Sequence, residues 1–193
     1  PEGDKTTVDW FSPLELPDEA ASDATIERDA DGSALTLRAV TDLGVVQATW
    51  PGATNVTQFS ATFSVPPDWP LLRKQFAGMV FDYKDANNFS FFGLFGDASS
   101  WVMGRRENGT LTRAVTRGAP LKPDTWYAVT LRAETNGGVS AWLDNEYVCA
   151  WPEGRLAGGG FGFCAGPEGG RVRDVMVSPP CLPDNAFRVE EES

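Results

Sequence analysis

Apolar residues in this chain recur at every second position, in short runs cut off by turn formers, and few folds accommodate that pattern. In Phe59-Ser60-Ala61-Thr62-Phe63-Ser64-Val65 the odd-numbered side chains are apolar, as a strand with one buried face requires. Ala34 to Ala39 repeats it, with Leu35 and Leu37 against Thr36 and Arg38. Tyr127, Val129, Leu131 and Ala133 oppose Ala128, Thr130 and Arg132, and Val139, Ala141 and Leu143 oppose Ser140 and Trp142. Two denser runs, Ala77 to Tyr83 and Phe89 to Phe95, are apolar on both sides and suit central strands covered on both faces. No window shows sustained helical periodicity; Leu14 to Ala21 is read as at most a turn of helix.

The punctuation has a physical basis. Asp31-Gly32, Asn108-Gly109 and Asp144-Asn145 tolerate the positive φ of primed hairpin turns and each separates two strand-like segments. Asn136-Gly137-Gly138 marks a further hairpin, and Pro51-Gly52 and Pro66-Pro67 end strands, because proline cannot donate to a central ladder. About a dozen strands at intervals of roughly 8–12 residues indicate an all-β sandwich. We expect one domain over residues 1–178. The stretch beyond it, 179–193, carries Pro179, Pro180, Pro183 and Glu190-Glu191-Glu192 and reads as a tail or linker.

Composition removes whole classes of chemistry. Histidine is absent, which excludes Ser-His-Asp and Cys-His nucleophile systems and His-ligated zinc. The 16 basic and 27 acidic side chains leave a net charge of −11, the wrong sign for a phosphate backbone or an anionic membrane surface. No apolar run reaches the roughly 18 residues that span a bilayer, and no targeting segment is read at the head of the chain. Cys149, Cys164 and Cys181 are too few for a disulfide scaffold. They read as small buried side chains, with one bridge plus a leftover thiol as the alternative.

The order of motifs carries a family likeness. Ala77-Gly78-Met79-Val80-Phe81-Asp82-Tyr83 leads to Asp85-Ala86-Asn87-Asn88-Phe89-Ser90-Phe91-Phe92, then Trp101-Val102-Met103 and the Asn108-Gly109 turn. Trp126 to Arg132, Leu143-Asp144-Asn145, Gly160-Phe161-Gly162-Phe163 and Arg173-Asp174-Val175-Met176-Val177 follow. Across roughly 77–177 this succession resembles the concanavalin A-like, laminin-G-like jelly-roll superfamily. The resemblance implies two antiparallel sheets of six or seven strands each, with a saccharide on the concave face of one sheet. The superfamily includes lectins, carbohydrate-binding modules, adhesion domains, glycosidases and lyases, so fold alone does not choose an activity.

Several residues are candidates for a site. Trp142 lies opposite its strand's buried set, and Arg132 points away from the core of the preceding strand, so pairing through the Asn136-Gly137-Gly138 turn brings them together. A planar ring beside a forked donor is a sugar contact. Trp101, Tyr83 and Phe92 are further aromatic candidates. Asp82 sits in a strand expected to be central, where an unpaired carboxylate is costly, and is expected to share a polar cleft with Arg105 or Arg132. Relatives of this fold often hold a structural calcium, and Asp174 is the position such an ion would test. Glu27, Asp29 and Asp31 alternate on one strand face, similar to the Glu-x-Asp-x-Glu motif of retaining β-glucanases of the superfamily, but run into the Asp31-Gly32 turn and end in Asp. Asn55, Asn88 and Asn108 open formal glycosylation sequons, that at Asn88 being read as chance because it begins a core strand.

These readings favour a non-catalytic carbohydrate-recognition module with no assigned catalytic residue, binding an oligo- or polysaccharide or a cell-surface partner and inserting in no membrane. Acidity and the resemblance together imply export, to the cell surface or beyond it. Two alternatives stand beside it: a glycoside hydrolase or polysaccharide lyase using the acids at 27–31, and a structural or protein-interaction jelly roll in which Trp101 and Trp142 are both buried.

Overall fold

Where alternation and turn chemistry agree, strands form. The computed structural model describes residues 24–28, 34–39, 44–48, 56–64, 76–85, 87–95, 100–118, 122, 124–157, 160–166 and 170–178. Among them are thirteen strands: β1 (Ala24–Arg28), β2 (Leu35–Ala39), β3 (Gly44–Ala48), β4 (Gln58–Ser64), β5 (Phe76–Asp85), β6 (Asn88–Phe95), β7 (Ser100–Glu107), β8 (Thr110–Gly118), β9 (Trp126–Ala133), β10 (Val139–Leu143), β11 (Glu146–Trp151), β12 (Gly160–Ala165) and β13 (Gly170–Ser178). No helix among the described residues is long and apolar enough to cross a membrane. Leu14 to Ala21, Asp29, Asp31, Asn55, Cys181 and 179–193 lie outside the described residues; Glu27 falls within β1, its Cα opposite Thr36.

The strands pair antiparallel into a seven-stranded sheet, β1-β2-β13-β4-β9-β10-β11, and a six-stranded sheet, β3-β12-β5-β6-β7-β8. The chain is thus an all-β, two-sheet antiparallel sandwich, with the strand numbers that the resemblance implied. The turns obey the expected chemistry. Asn108 and Gly109 (φ 49° and 80°) join β7 to β8, and Asp144 and Asn145 (φ 47° and 66°) join β10 to β11, the paired positive values of a type I′ turn.

The core lies between the sheets. Phe59 and Phe63 of β4 meet Phe161 and Phe163 of β12, with ring centroids 5.3 Å (Phe59–Phe161), 6.0 Å (Phe59–Phe163) and 6.2 Å (Phe63–Phe163) apart, within the range of favourable aromatic contacts. Around them pack Leu37, Met79, Phe81, Leu94, Val129 and Leu131, all essentially inaccessible. The outward side of the six-stranded sheet is apolar too: Val80, Phe89, Phe91, Val102 and Cys164 form a second buried cluster. This accounts for the two dense runs of the sequence, since β5 and β6 are covered on both faces. Cys149 belongs to the inter-sheet cluster and Cys164 to the outer one, so the two thiols are small buried side chains of separate apolar environments. Burial pushes the Cys164 thiol well above its ordinary value.

At the centre of the six-stranded sheet, Gly78 of β5 lies opposite Gly93 of β6. A Cβ at Gly78 would stand 2.6 Å from the Phe92 carbonyl oxygen, and one at Gly93 would stand 2.5 Å from that of Ala77. Backbone occupies the space a side chain would need, and only glycine fits.

The β5–β6 and β7–β8 turns are tied to each other. Asn88 Nδ2 donates to both Asp85 carboxylate oxygens at 2.9 and 3.1 Å, while Asn88 Oδ1 accepts from the Asn108 N–H at 3.0 Å. The Asn88 amide nitrogen is therefore engaged within the turn. These bonds, with one from the Asn87 N–H, hold the Asp85 carboxyl below its ordinary value of 3.8. A depressed folded value means that ionised Asp85 stabilises the turn above the unfolded value, and that this contribution is lost as pH falls through the lower folded one. The Asn87 amide resonance is therefore expected to titrate with a midpoint below 3.8; a midpoint at or above it would remove Asp85 from this role.

Candidate functional site

The outward face of the seven-stranded sheet is built by the residues that alternate with the core. Pairing places Trp142 of β10 opposite Thr130 of β9, and Ser140 opposite Arg132. The Arg132 guanidinium lies 4.4 Å above the centre of the Trp142 ring, close enough for a cation–π contact. The Trp142 indole N–H donates to Ser140 Oγ at 2.9 Å, which fixes the ring in its plane. A register shift between Ala141 and Trp142 brings Tyr147 of β11 opposite Trp142, edge to face at 5.6 Å. Tyr147 is 52% exposed, against a core of near-zero values.

Beside these rings opens a recess of about 350 Å³ lined by Trp142, Tyr147, Ala150, Glu134, Asn136 and the Gly137-Gly138 turn. Arg132 does not line it, so the guanidinium covers the β9 side of the indole and the recess lies on the β11 side. An aromatic wall, an amide and a carboxylate facing one cavity make a surface that can stack a ring and bond its hydroxyls.

A second cluster stands on the same face. Trp126 of β9 is flanked by Arg171 and Arg173 of β13, their guanidinium carbons 4.9 and 4.0 Å from the ring centre. These side chains meet above β4 because its outward positions, Ser60, Thr62 and Ser64, are small. Arg171 also donates to Ser64 Oγ at 3.3 Å and to Asp124 at 3.2 Å.

The structure disperses the residues singled out from sequence. Arg132 and Trp142 come together as alternation required. Asp82 and Arg105 also come together, but elsewhere, at one end of the six-stranded sheet. There they share a recess of about 130 Å³ with Lys84, Asn88, Ser90 and Glu107. The face that carries Phe92 and Met103 in the core continues past it as Ser90 and Arg105, and Arg105 pairs with Glu107 at 3.4 Å. Asp82 adopts a positive φ of 48° at an irregularity in both of β5's pairings, and this bulge re-aims the following residue. Tyr83 consequently stacks on Phe89 against the outer apolar cluster, where desolvation first and the Asp85 charge second raise its hydroxyl.

Trp101 requires correction as a ligand contact. It is 1% exposed, stacked on Phe92 at 5.6 Å and edge-on to Tyr127 at 5.8 Å, because its position in β7 shares the inward face with Met103. Asp174 lies in the β13 bulge at φ 52° and pairs with Arg173 at 3.3 Å. Among the described residues no group of three or more His, Cys, Asp or Glu is placed to hold a metal ion. Trp126, Tyr147, Arg171 and Arg173 were missed. Extending the β9 alternation two residues back from Ala128 would have found Trp126; no sequence signal announced the register shift that presents Tyr147.

No protein-family model matches the chain, and no curated protein matches it in sequence. Solved structures do share its fold. The carbohydrate-binding module CBM66 of Bacillus subtilis is 14% identical and superposes with a TM-score of 0.65, covering 81% of this chain and 96% of the module. Galectin LEC-6 of Caenorhabditis elegans is 11% identical with a TM-score of 0.51, covering 81% of this chain and 96% of the galectin. The receptor-binding domain of botulinum neurotoxin D is 10% identical with a TM-score of 0.50, covering 82% of this chain and 45% of that one. At such identities the likeness is one of fold: a jelly-roll sandwich of the kind found in lectins and carbohydrate-binding modules.

Proposed function

We propose that this protein is a non-catalytic carbohydrate-recognition module and that its sugar site is the recess beside Trp142. The observation that carries this reading is the aromatic corner of Trp142 and Tyr147, braced by Arg132 and opening on a cavity with Glu134 and Asn136 at its wall. Sugar rings present C–H faces that pack on aromatic planes, and their hydroxyls exchange bonds with amide and carboxylate groups. The fold neighbours named as a carbohydrate-binding module and a galectin support the same reading. Among the described residues Glu134 is the one carboxylate that lines the recess, whereas glycoside hydrolysis uses a pair, and this favours binding over turnover. A module of this kind serves outside the cell or at its surface, where glycan polymers are met.

A glycan array followed by titration with the retained sugars tests the proposal. Binding is expected, and Tyr147→Ala and Trp142→Ala are each expected to weaken it about tenfold or more, as for aromatic anchors of an interface. Tyr147 is half exposed, so its variant keeps the fold. Retention of no sugar, or affinities indifferent to both substitutions, would overturn the assignment.

A further inference from the structure

The chain carries a net charge of −11, yet the outward ladder positions of β4, β9, β10, β11 and β13 that the structure describes contain Arg132, Arg171 and Arg173 and no acid. Asp124 and Asp174 answer Arg171 and Arg173 from a turn and a bulge. Among the described residues Arg132, between Gln58 and Ser140 on the neighbouring strands, forms no ion pair, and its guanidinium lies over the face of Trp142. Stacking holds a guanidinium in place while leaving its in-plane N–H donors unspent, and those donors match a carboxylate or sulfate in geometry.

The two arginine–tryptophan clusters are also spaced for a chain. Trp126 and Thr130, the residue opposite Trp142, are four positions apart on β9. At the usual strand rise and spacing the platforms stand about 14 Å apart, wider than one sugar ring. Between them runs a low floor of Ala128, Thr130, Ser60 and Thr62, on which Ser60 and Thr130 hydroxyls lie 3.4 Å apart.

We propose that this face binds a segment of an acidic polysaccharide, with anionic groups taken by Arg132 at one platform and by Arg171 and Arg173 at the other. The proposal rests on the sugar-site reading above and adds the ligand's charge and length. Calorimetric titration with hexasaccharides of galacturonate, sulfated galactan and neutral galactan, at about 0.01 M and 0.15 M ionic strength, tests it on the whole chain. At least one acidic hexamer is expected to bind about tenfold or more tightly than the neutral one, the preference shrinking at the higher salt. Arg132→Gln and Arg173→Gln are each expected to cost the acidic hexamer about tenfold, the range of a charge-assisted bond, and to cost the neutral hexamer less. Arg132→Lys, which keeps the charge, is expected to recover part of the loss. Galacturonate alone assigns the anion as carboxylate and the sulfated chain alone as sulfate; either supports the proposal. Neutral galactan binding as tightly or more tightly, still lost on Trp142→Ala, would overturn the acidic assignment and leave the sugar site standing. An acidic preference unmoved by both glutamine variants would also overturn it. Binding of no hexamer, with an empty array, would overturn both.

Discussion

Phe163→Ala is expected to lower the unfolding free energy by about 3–5 kcal/mol, read from the midpoint of urea denaturation at unchanged slope. Phe163 is 1% exposed and touches both Phe59 and Phe63 of the other sheet. Truncation removes the buried ring and leaves a cavity walled by two aromatics on a fixed ladder, which cannot collapse inward. Most domains have only about 5–15 kcal/mol in hand, so this one change consumes a large share. A loss under about 1 kcal/mol would mean that the sheets do not meet where the rings place them.

Gly93→Ala is expected to destabilise by about 3 kcal/mol, the upper end of overpacking costs, although it adds one methyl group. The new Cβ would meet the Ala77 carbonyl oxygen at 2.5 Å and the Gly78 Cα at 2.7 Å. No rotamer relieves a clash with backbone, so β5 and β6 must separate and stretch their shared hydrogen bonds. Gly78→Ala is expected to behave alike, its Cβ facing the Gly93 Cα at 2.8 Å. Denaturation of the single variants at wild-type midpoints would show the strands to be farther apart than this.

The architecture was legible because alternation and turn chemistry are local. Phe59-Phe63, Tyr127-Ala133 and Val139-Leu143 each declare a buried face without reference to anything distant, and Asn108-Gly109 and Asp144-Asn145 declare their φ values. The Arg132–Trp142 pair followed from the same logic, because a hairpin turns sequence spacing into contact. What local pattern does not encode is an interruption of the ladder. The bulge at Asp82 sent Tyr83 to the opposite side from the polar recess. The shift at Ala141 and Trp142 recruited Tyr147. Trp101 was misplaced for another reason: an indole looks alike in sequence whether it stacks on a sugar or on Phe92. Pairing across the seven-stranded sheet, which joins Trp126 to Arg171 and Arg173, depends on strand order, and strand order is a property of the whole chain.

That order has a consequence for how the molecule comes into being. β13 lies between β2 and β4, and Arg171 bonds to Ser64, 107 positions earlier. While the ribosome is still short of residue 170, the larger layer has a vacant slot in its middle, with two unzipped edges facing it. Such long-range closure is slow and leaves adhesive intermediates exposed. The nascent polypeptide therefore gains its finished surface, and the two arginines that β13 contributes to it, only once residues 170–178 have entered that slot.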